Sequence, residues 1–281
     1  MRSKISSDYI QIILRKKNGK FRNVSAPEDD LKQCQRKILH HIIAYLPISN
    51  YAKAYVKGNS LTHCASPHVG KKYLLKLDIA DFFGSISFEK VYSTAFHTKY
   101  FPKQIGAMLT TLCCRNDVLP QGAPTSPALS NLVMRNFDQS IGCWCEKHEI
   151  FYTRYCDDMT FSSNQPLFVI YRKAKVMLEE MGFTLNQTKT HFITHANRQS
   201  VTGLTVNEKV SVSNYYKRKL RQEMYYVLKF GLEDSMQYTS YNDPQKHYHH
   251  LVGKLNFVLQ IEPNLTWFRK ALEEMTKRYG L

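Results

Sequence analysis

Residues 151–163, FYTRYCDDMTFSS, place two adjacent aspartates between two runs of aromatic and apolar residues. The runs have the composition of β-strands, so the segment predicts a strand, a turn at Asp157 and Asp158, and a second strand. Asp is a common turn residue, which explains the pair without any further role. Paired carboxylates also become favourable when a divalent cation sits between them. This segment alone leaves the turn and the metal site both open.

A third carboxylate closes another predicted strand. KKYLLKLDIADFF is nearly continuous in apolar character from about residue 73 to 79, which predicts a strand buried on both faces with Asp78 near its end. Neighbouring strands lie about 4.8 Å apart, so pairing with the hairpin would bring Asp78 close to Asp157 and Asp158. Two Mg²⁺ ions about 4 Å apart would stabilise such a cluster, and that constellation catalyses phosphoryl transfer.

The composition indicates a folded, basic protein. The chain has 281 residues, of which 43% are hydrophobic, and its 39 Lys and Arg against 23 Asp and Glu give a net charge of +16. This excess favours a polyanionic partner such as nucleic acid. The apolar runs are too short for a signal peptide or a membrane span, so no membrane partner is expected. Seven cysteines without a disulfide spacing indicate reduced, packed thiols and a cytoplasmic location, in preference to zinc sites.

Apolar residues recur at helical spacing in several segments. Helices are predicted over residues 29–46, 126–144, 167–181, 215–230 and 267–279. Ser126 is the expected N-cap of the second helix, with Pro127 at its first position. From about residue 206 the helices are amphipathic and basic on the outside. This order, mixed elements first and helices last, predicts an α+β fold with a C-terminal helical subdomain.

Three motifs in the right order resemble those of reverse transcriptases. YCDD resembles their Y-x-D-D box, LKLDIADFF their first aspartate motif, and LPQGAPTSPALSNL the Gln-Gly-x-Pro-x-Ser-Pro segment between them. GFTLNQTKT and VTGLTVN follow where later palm motifs are expected. The resemblance implies a right-hand polymerase, with fingers and palm (an antiparallel sheet plus helices) over residues 1–205 and a helical thumb over residues 206–281.

The likeness narrows to bacterial retron reverse transcriptases. SLTHCASPHVGKKYLLKLDIADFFGSIS resembles the retron element N-A-x-x-H, with Ala65 and His68 present and Cys64 in place of the Asn. VTG at residues 201–203 matches a second retron signature. Gly84 stands where the family usually has Pro, which alters the expected shape of that loop.

The resemblance assigns roles at a predicted active site. Asp78 and Asp157 are the expected main ligands of two Mg²⁺ ions, with Asp158 assisting. Contacts with the incoming nucleotide are expected from Arg22, Ile79, Phe83, Gln121, Gly122 and Lys189. Phe83 falls at the steric-gate position, where a ring beneath the sugar would clash with a 2′-OH; a core aromatic is the alternative. Lys189 would lie near the departing pyrophosphate, unless it is a solvated surface lysine. Arg22, with Lys16 and Lys17, would hold the triphosphate or belong to a merely basic hairpin.

The resemblance also implies contacts with RNA. They are expected from His68, Val201, Thr202, Gly203, Lys217, Arg218 and Arg221. His68 would recognise structured RNA, and the basic C-terminal helices would follow an A-form duplex by its shape and phosphate charge.

The leading hypothesis is a retron-type RNA-directed DNA polymerase that uses dNTPs to copy part of its own structured noncoding RNA into single-stranded DNA. Retron resemblance implies priming from a guanosine 2′-OH, a role in antiviral defence and a separate effector protein. Two alternatives remain open: an RNA-binding scaffold in the manner of intron maturases, and another short bacterial reverse transcriptase of the group II or diversity-generating type.

Overall fold

The computed structural model describes residues 8–15, 19, 21–97, 99–238 and 241–280. The chain forms two compact units. The N-terminal unit comprises residues 1–60 and 71–194, and the C-terminal unit comprises residues 61–70 and 195–281. The sequence places the start of the thumb at residue 206, whereas the second unit begins at His195 and also takes in residues 61–70. The division into fingers, palm and thumb stays a prediction.

A four-stranded antiparallel sheet lies at the centre of the N-terminal unit, in the order β4-β5-β3-β6. Two strands that precede it in the chain, β1 and β2, form a separate hairpin. The strands of this unit are β1 Tyr9–Arg15, β2 Phe21–Pro27, β3 Tyr73–Asp78, β4 Phe151–Tyr155, β5 Asp158–Ser163 and β6 His191–Thr194. β3 has a neighbour on both sides, which explains its nearly continuous apolar sequence. The predicted strand at 73–79 and the predicted strand–turn–strand at 151–163 are both confirmed.

Helices pack around this sheet. They are Asp29–His41, Phe88–Ala95, Lys103–Cys113, Ser126–Val133, Arg135–Lys147 and Phe168–Glu180, with 3₁₀ turns at Ile43–Tyr45 and Gln187–Lys189. Leu129, Phe137, Ile141 and Phe161 are among the buried residues of the shared core. The predicted N-cap at Ser126 is wrong by one residue: Ser126 is already the first helical residue, and Thr125 takes the cap position. The Ser126 Oγ has no hydrogen-bond partner among the described residues, so it caps no helical N–H.

The hairpin β1–β2 is mostly exposed, and Tyr9 and Ser25 are among the residues that attach it to the unit. Tyr9 is buried in a small cluster with Leu31 and Ala123. The backbone N–H of Ser25 donates to the carbonyl of Gln121 at 2.7 Å. The second contact ties the middle of β2 to the predicted nucleotide-binding segment.

The C-terminal unit combines one short hairpin with helices. Its strands are β7 Ser200–Val201 and β8 Leu204–Thr205, and its helices are Leu61–Ala65, Asn214–Phe230, Leu232–Ser235, Pro244–Ile261 and Thr266–Tyr279, with 3₁₀ turns at Ser66–His68 and Met236–Tyr238. The first short helix packs against β7 and β8. Across the described residues, no helix is both long enough and apolar enough to cross a bilayer.

Candidate active site

The paired strands bring the predicted carboxylates to one end of the central sheet. Asp78 is the last residue of β3, and it is the register partner of Asp158, the first residue of β5. Asp157 lies in the two-residue turn between β4 and β5. The backbone N–H of Ile79 donates to the Asp157 carbonyl at 3.3 Å, which ties the turn to the end of β3.

The carboxylates at this end of the sheet affect one another. Burial raises the pKa of Asp157, and the neighbouring Asp78 carboxylate raises it further. Burial also raises the pKa of Asp158 to about 6, with contributions from Asp157 and Asp78, while Lys76 and Lys189 oppose the shift. Crowded negative charge of this kind is costly without a cation, and a bound cation would relieve the cost.

Lys189 supplies a cation at this position. Its Nζ donates to Asp78 Oδ2 at 2.7 Å, and this hydrogen bond is the main cause that raises the pKa of Lys189. The lysine side chain is 59% exposed, whereas the Asp78 side chain is 5% exposed. The Asp78 backbone is fixed as well, because its carbonyl accepts from the Asn186 N–H at 2.8 Å. An exposed lysine held by one hydrogen bond can leave, so the Asp78 carboxylate is available to another cation.

The donor set fits Mg²⁺. In the part of the chain that the structure describes, no three His, Cys, Asp or Glu side chains are arranged as a ready metal-binding group. Mg²⁺ does not require such a group, because proteins usually bind it through one or two carboxylates together with substrate phosphates and water. Asp78 and Asp157 supply hard oxygen donors from adjacent chain segments.

A buried ion pair lies beneath the turn that carries Asp157. Arg154 donates from Nε to Asp138 Oδ1 at 2.8 Å and from Nη2 to Asp138 Oδ2 at 2.6 Å, and both side chains are fully buried. Arg154 Nη1 donates to the Cys156 carbonyl at 2.9 Å and to Asn131 Oδ1 at 3.1 Å. The Tyr152 hydroxyl donates to Asp138 Oδ1 at 2.8 Å. The guanidinium is therefore fixed on three sides.

This pair holds a strained residue in place. Cys156 has a φ of 60°, in the left-handed region that a residue with a Cβ adopts only at a cost of about 1–3 kcal/mol. The hydrogen bond from Arg154 to the Cys156 carbonyl fixes the peptide that leads directly to Asp157. The sequence analysis missed Arg154 and Asp138, because charged residues are rarely buried and their pairing depends on the fold. The one signal available is that Asp138 lies beside Phe137 on the buried side of its helix.

Two predicted nucleotide-binding residues, Ile79 and Phe83, lie in the segment after β3. Ile79 is 2% exposed. Phe83 is half-buried against the main core, with its ring centroid 5.4 Å from that of Phe82. A Cβ at Gly84 would overlap the Asp81 carboxylate, so a larger residue here would require the exposed Asp81 side chain to move.

Gln121 and Gly122 lie against the hairpin. Gly122 has a φ of 124°, and a Cβ there would come within 2.8 Å of the Ser25 carbonyl oxygen. Because glycine has no side chain, the backbone at Gly122 can lie close to the chain's own β2 strand. Arg22 is exposed on the same strand. Lys16 and Lys17 lie outside the described residues.

All the predicted RNA-binding residues belong to the C-terminal unit. His68 and Val201 are both 0% exposed, so their side chains lie below the surface. Thr202 and Gly203 form the two-residue turn between β7 and β8, with φ values of 47° and 86°. Positive φ at both positions is typical of a type I′ hairpin turn, which explains the Gly of the VTG motif by backbone geometry.

The three basic residues predicted to bind RNA have different surroundings. Lys217 Nζ donates to Glu262 Oε1 at 2.8 Å and is only 12% exposed, so its charge is already paired. Arg218 is exposed. The Arg221 guanidinium lies over the rings of Trp267 and Phe268, at 5.6 and 4.9 Å from their centroids.

Comparison with known proteins identifies the class. A family model described as reverse transcriptase (RNA-dependent DNA polymerase) matches residues 14–235. The chain therefore belongs to the reverse transcriptase family, whose members generally use Mg²⁺.

Curated relatives narrow the class to retron reverse transcriptases. The retron Ec83 enzyme of Escherichia coli is 30% identical over 296 residues, which cover 100% of this chain and 89% of the relative. The retron Mx65 enzyme of Myxococcus xanthus is 32% identical over 276 residues, and the retron Ec86 enzyme of Escherichia coli is 29% identical over 271 residues. These matches cover 91% and 93% of this chain, and 62% and 78% of the relatives. The predicted family resemblance is confirmed.

Solved structures support the fold alone, because their sequence identity is low. Telomerase from Candida albicans, in complex with a fragment of telomeric RNA, has a TM-score of 0.53 at 11% identity. The superposition covers 99% of this chain and 57% of the telomerase chain. A foamy viral protease–reverse transcriptase in complex with double-stranded DNA has a TM-score of 0.52 at 14% identity. The superposition covers 98% of this chain and 45% of the viral chain. The predicted α+β, right-hand polymerase fold is confirmed.

Proposed function

We propose that this chain is a retron-type RNA-directed DNA polymerase, which binds its own structured noncoding RNA and copies part of it into single-stranded DNA. The observation that carries the proposal is the pairing of Asp78 with Asp158, with Asp157 in the adjoining turn. That pairing brings the first aspartate motif to the Y-x-D-D box. Family membership supports the same reaction.

Asp78 and Asp157 would hold two Mg²⁺ ions, with Asp158 assisting. Such a metal pair stabilises the attacking and leaving oxygens of phosphoryl transfer. Occupation of the Asp78 carboxylate by a metal would release Lys189, whose Nζ now donates to it. The freed ammonium would then face the phosphates of the incoming nucleotide, where it can supply charge or a proton.

The remaining nucleotide contacts follow from the placement of the side chains. Phe83 is half-buried against the core, a position that supports a rigid ring beneath the sugar. The exposed Arg22 would contact phosphate through its forked donors. Ile79, Gln121 and Gly122 would line the nucleotide and template site through their backbone, because Ile79 is buried and Gly122 has no side chain.

RNA recognition is proposed for the C-terminal unit. Thr202 and Gly203 present a rigid hairpin turn, while the buried His68 and Val201 would act by supporting it. Among the predicted basic residues, Arg218 and Arg221 are exposed and would contact the RNA backbone. Lys217 is paired to Glu262 and would mainly hold the helix Asn214–Phe230 in place.

The likeness to retron enzymes supports four further parts of the proposal. They are priming from a guanosine 2′-OH, a role in antiviral defence, a separate effector protein and a cytoplasmic location.

Sequencing of the nucleic acid that co-purifies with the chain tests the proposal. A branched RNA–DNA hybrid is expected from the wild-type protein, and RNA without attached DNA from Asp157→Asn. Primer extension on a generic RNA template separates a polymerase from a scaffold. If the wild-type protein incorporates no dNTP with Mg²⁺ present, the chain is an RNA-binding scaffold. If it makes linear cDNA without a branch, it belongs to another class of reverse transcriptase.

Selection against ribonucleotides tests the role of Phe83. Phe83→Ala removes the ring and is expected to raise the incorporation of rNTPs relative to dNTPs by about tenfold or more, because a lost steric clash of 1.4 kcal/mol or more changes the ratio by that factor. Phe83→Tyr keeps the ring and serves as the control. Unchanged sugar selection in Phe83→Ala would assign this ring to core packing.

A further inference from the structure

A cavity of about 550 Å³ opens within the C-terminal unit, apart from the residues assigned to RNA contacts above. Its walls come from the helices Asn214–Phe230 and Pro244–Ile261 and from the side chains of Tyr238 and Tyr241. Tyr226 completes a set of three tyrosines at the lining. We call it the tyrosine–histidine cavity.

A buried histidine contributes an unpaired acceptor to this cavity. His247 is 2% exposed, and its Nδ1 has no hydrogen-bond partner among the described residues. Burial lowers the pKa of His247, and a hydrogen bond to the backbone of Leu232 opposes that shift, so the ring is neutral at pH 7. The backbone carbonyl can only accept, so Nε2 carries the proton and Nδ1 is left as an acceptor. A ligand in the cavity could satisfy His247 Nδ1 by donating a hydrogen bond to it from an N–H or O–H group.

Flat aromatic surfaces line the same cavity. The Tyr241 ring stacks on His247, with centroids 5.3 Å apart and an interplanar angle of 7°. The Tyr226 and Tyr238 rings stack at 5.2 Å and 24°. Such rings bind nucleobases by stacking, at about 1–3 kcal/mol per base.

The charges at the cavity match a nucleotide. Glu223, whose carboxylate is a second acceptor, is held by Lys254 through a 2.7 Å ion pair. Lys219 is exposed at the lining and can reach a phosphate. The two acceptors, His247 Nδ1 and Glu223, complement a base that carries an amino group. The cation, Lys219, complements the backbone phosphate of the same nucleotide.

We propose that the tyrosine–histidine cavity binds one unpaired, amino-bearing nucleotide of the RNA. This inference rests on the proposed function, because it presumes that the chain binds RNA. The exocyclic amino group of adenine, cytosine or guanine has two hydrogens and can donate to both acceptors of the cavity, His247 Nδ1 and Glu223, whereas uracil offers only its single ring N3–H. A net charge of +16 on the chain favours a polyanionic occupant over a protein side chain.

Fluorescence anisotropy with labelled oligo(rA), oligo(rC) and oligo(rU) of equal length tests the proposal on the full chain. The wild-type protein is expected to bind oligo(rA) and oligo(rC) at least about fivefold more tightly than oligo(rU). His247→Phe keeps the aromatic shape and removes the acceptor, and it should abolish this preference. Tyr226→Leu should weaken binding of all three oligonucleotides by about tenfold, since it removes a stacking surface.

His249→Phe is the matched control, because His249 is exposed on the same helix and does not line the cavity. Equal binding of the three oligonucleotides by the wild-type protein would overturn the proposal. So would an unchanged preference in His247→Phe, or binding of AMP as tight as that of oligo(rA), which would indicate a site for free nucleotides. Primer extension by the wild-type protein distinguishes the two failures: with extension intact, only the cavity assignment falls.

Discussion

Two of the aspartate–cation pairs in the N-terminal unit, Arg154–Asp138 and Lys189–Asp78, differ in almost every respect except length. The Arg154–Asp138 pair is 2.6 Å long with both side chains fully buried. The Lys189–Asp78 pair is 2.7 Å long, with the lysine 59% exposed and the aspartate 5% exposed. Distance alone therefore gives no indication of what each pair does.

The surroundings separate a permanent pair from an exchangeable one. Asp138 accepts from Arg154 through both oxygens and from the Tyr152 hydroxyl, and its side chain is fully buried. Asp78 has a single lysine on one oxygen, near two other carboxylates. The buried pair fixes the turn that contains Asp157, whereas the exposed pair holds Asp78 by one hydrogen bond that another cation could replace. Substitutions in the two pairs should therefore affect different properties.

The largest effect is expected from Asp78→Asn. The change keeps the shape and removes the charge that we propose to bind Mg²⁺, so primer extension with Mg²⁺ should fall by a factor on the order of 10³ or more. The melting temperature should change by only a few degrees, because the lost partner is an exposed lysine. Activity within tenfold of wild type would show that Asp78 is not a ligand.

The matching change in the buried pair is Asp138→Asn. It leaves the Arg154 charge buried without its counterion, which typically costs about 3–5 kcal/mol, so the free energy of unfolding in urea should fall by that amount. Lys175→Met serves as the control. It breaks a 3.8 Å pair with Glu179 that is about half exposed, and it should cost less than about 1 kcal/mol. Equal losses in the two variants would remove the distinction between permanent and exchangeable pairs.

The exchangeable pair could be predicted in part from the sequence, whereas the buried pair could not. The motifs that contain Asp78, Asp157 and Lys189 occur along the chain in the order that is typical of reverse transcriptases. The strands next to the two aspartates also have clear apolar runs. Arg154 lies within the Y-x-D-D strand itself, yet its role depends on Asp138, 16 residues earlier on a different element. Burial of both charges is favourable only after the sheet and helix have packed. The same limit applies to Lys217, whose basic charge suggests RNA binding until its partner Glu262 is seen.

A smaller effect is expected from Lys189→Met. If the released ammonium supplies charge or a proton to the phosphates, the maximal rate of dNTP incorporation should fall by about 10- to 100-fold with little change in KM for the template. Lys189→Arg keeps the charge and should recover part of the rate. A wild-type rate in Lys189→Met would assign this residue to the solvated surface.

The binding of Mn²⁺, counted by electron paramagnetic resonance, tests the central claim most directly. The chain would be loaded with an RNA template, a DNA primer and an unreactive dNTP analogue, so that the count does not depend on turnover. Two bound ions per wild-type chain are expected, with the loss of at least one in Asp78→Asn and none lost in Lys189→Met. Two ions in both the wild-type protein and Asp78→Asn would contradict the assignment of Asp78 and Asp157 as the metal-binding pair.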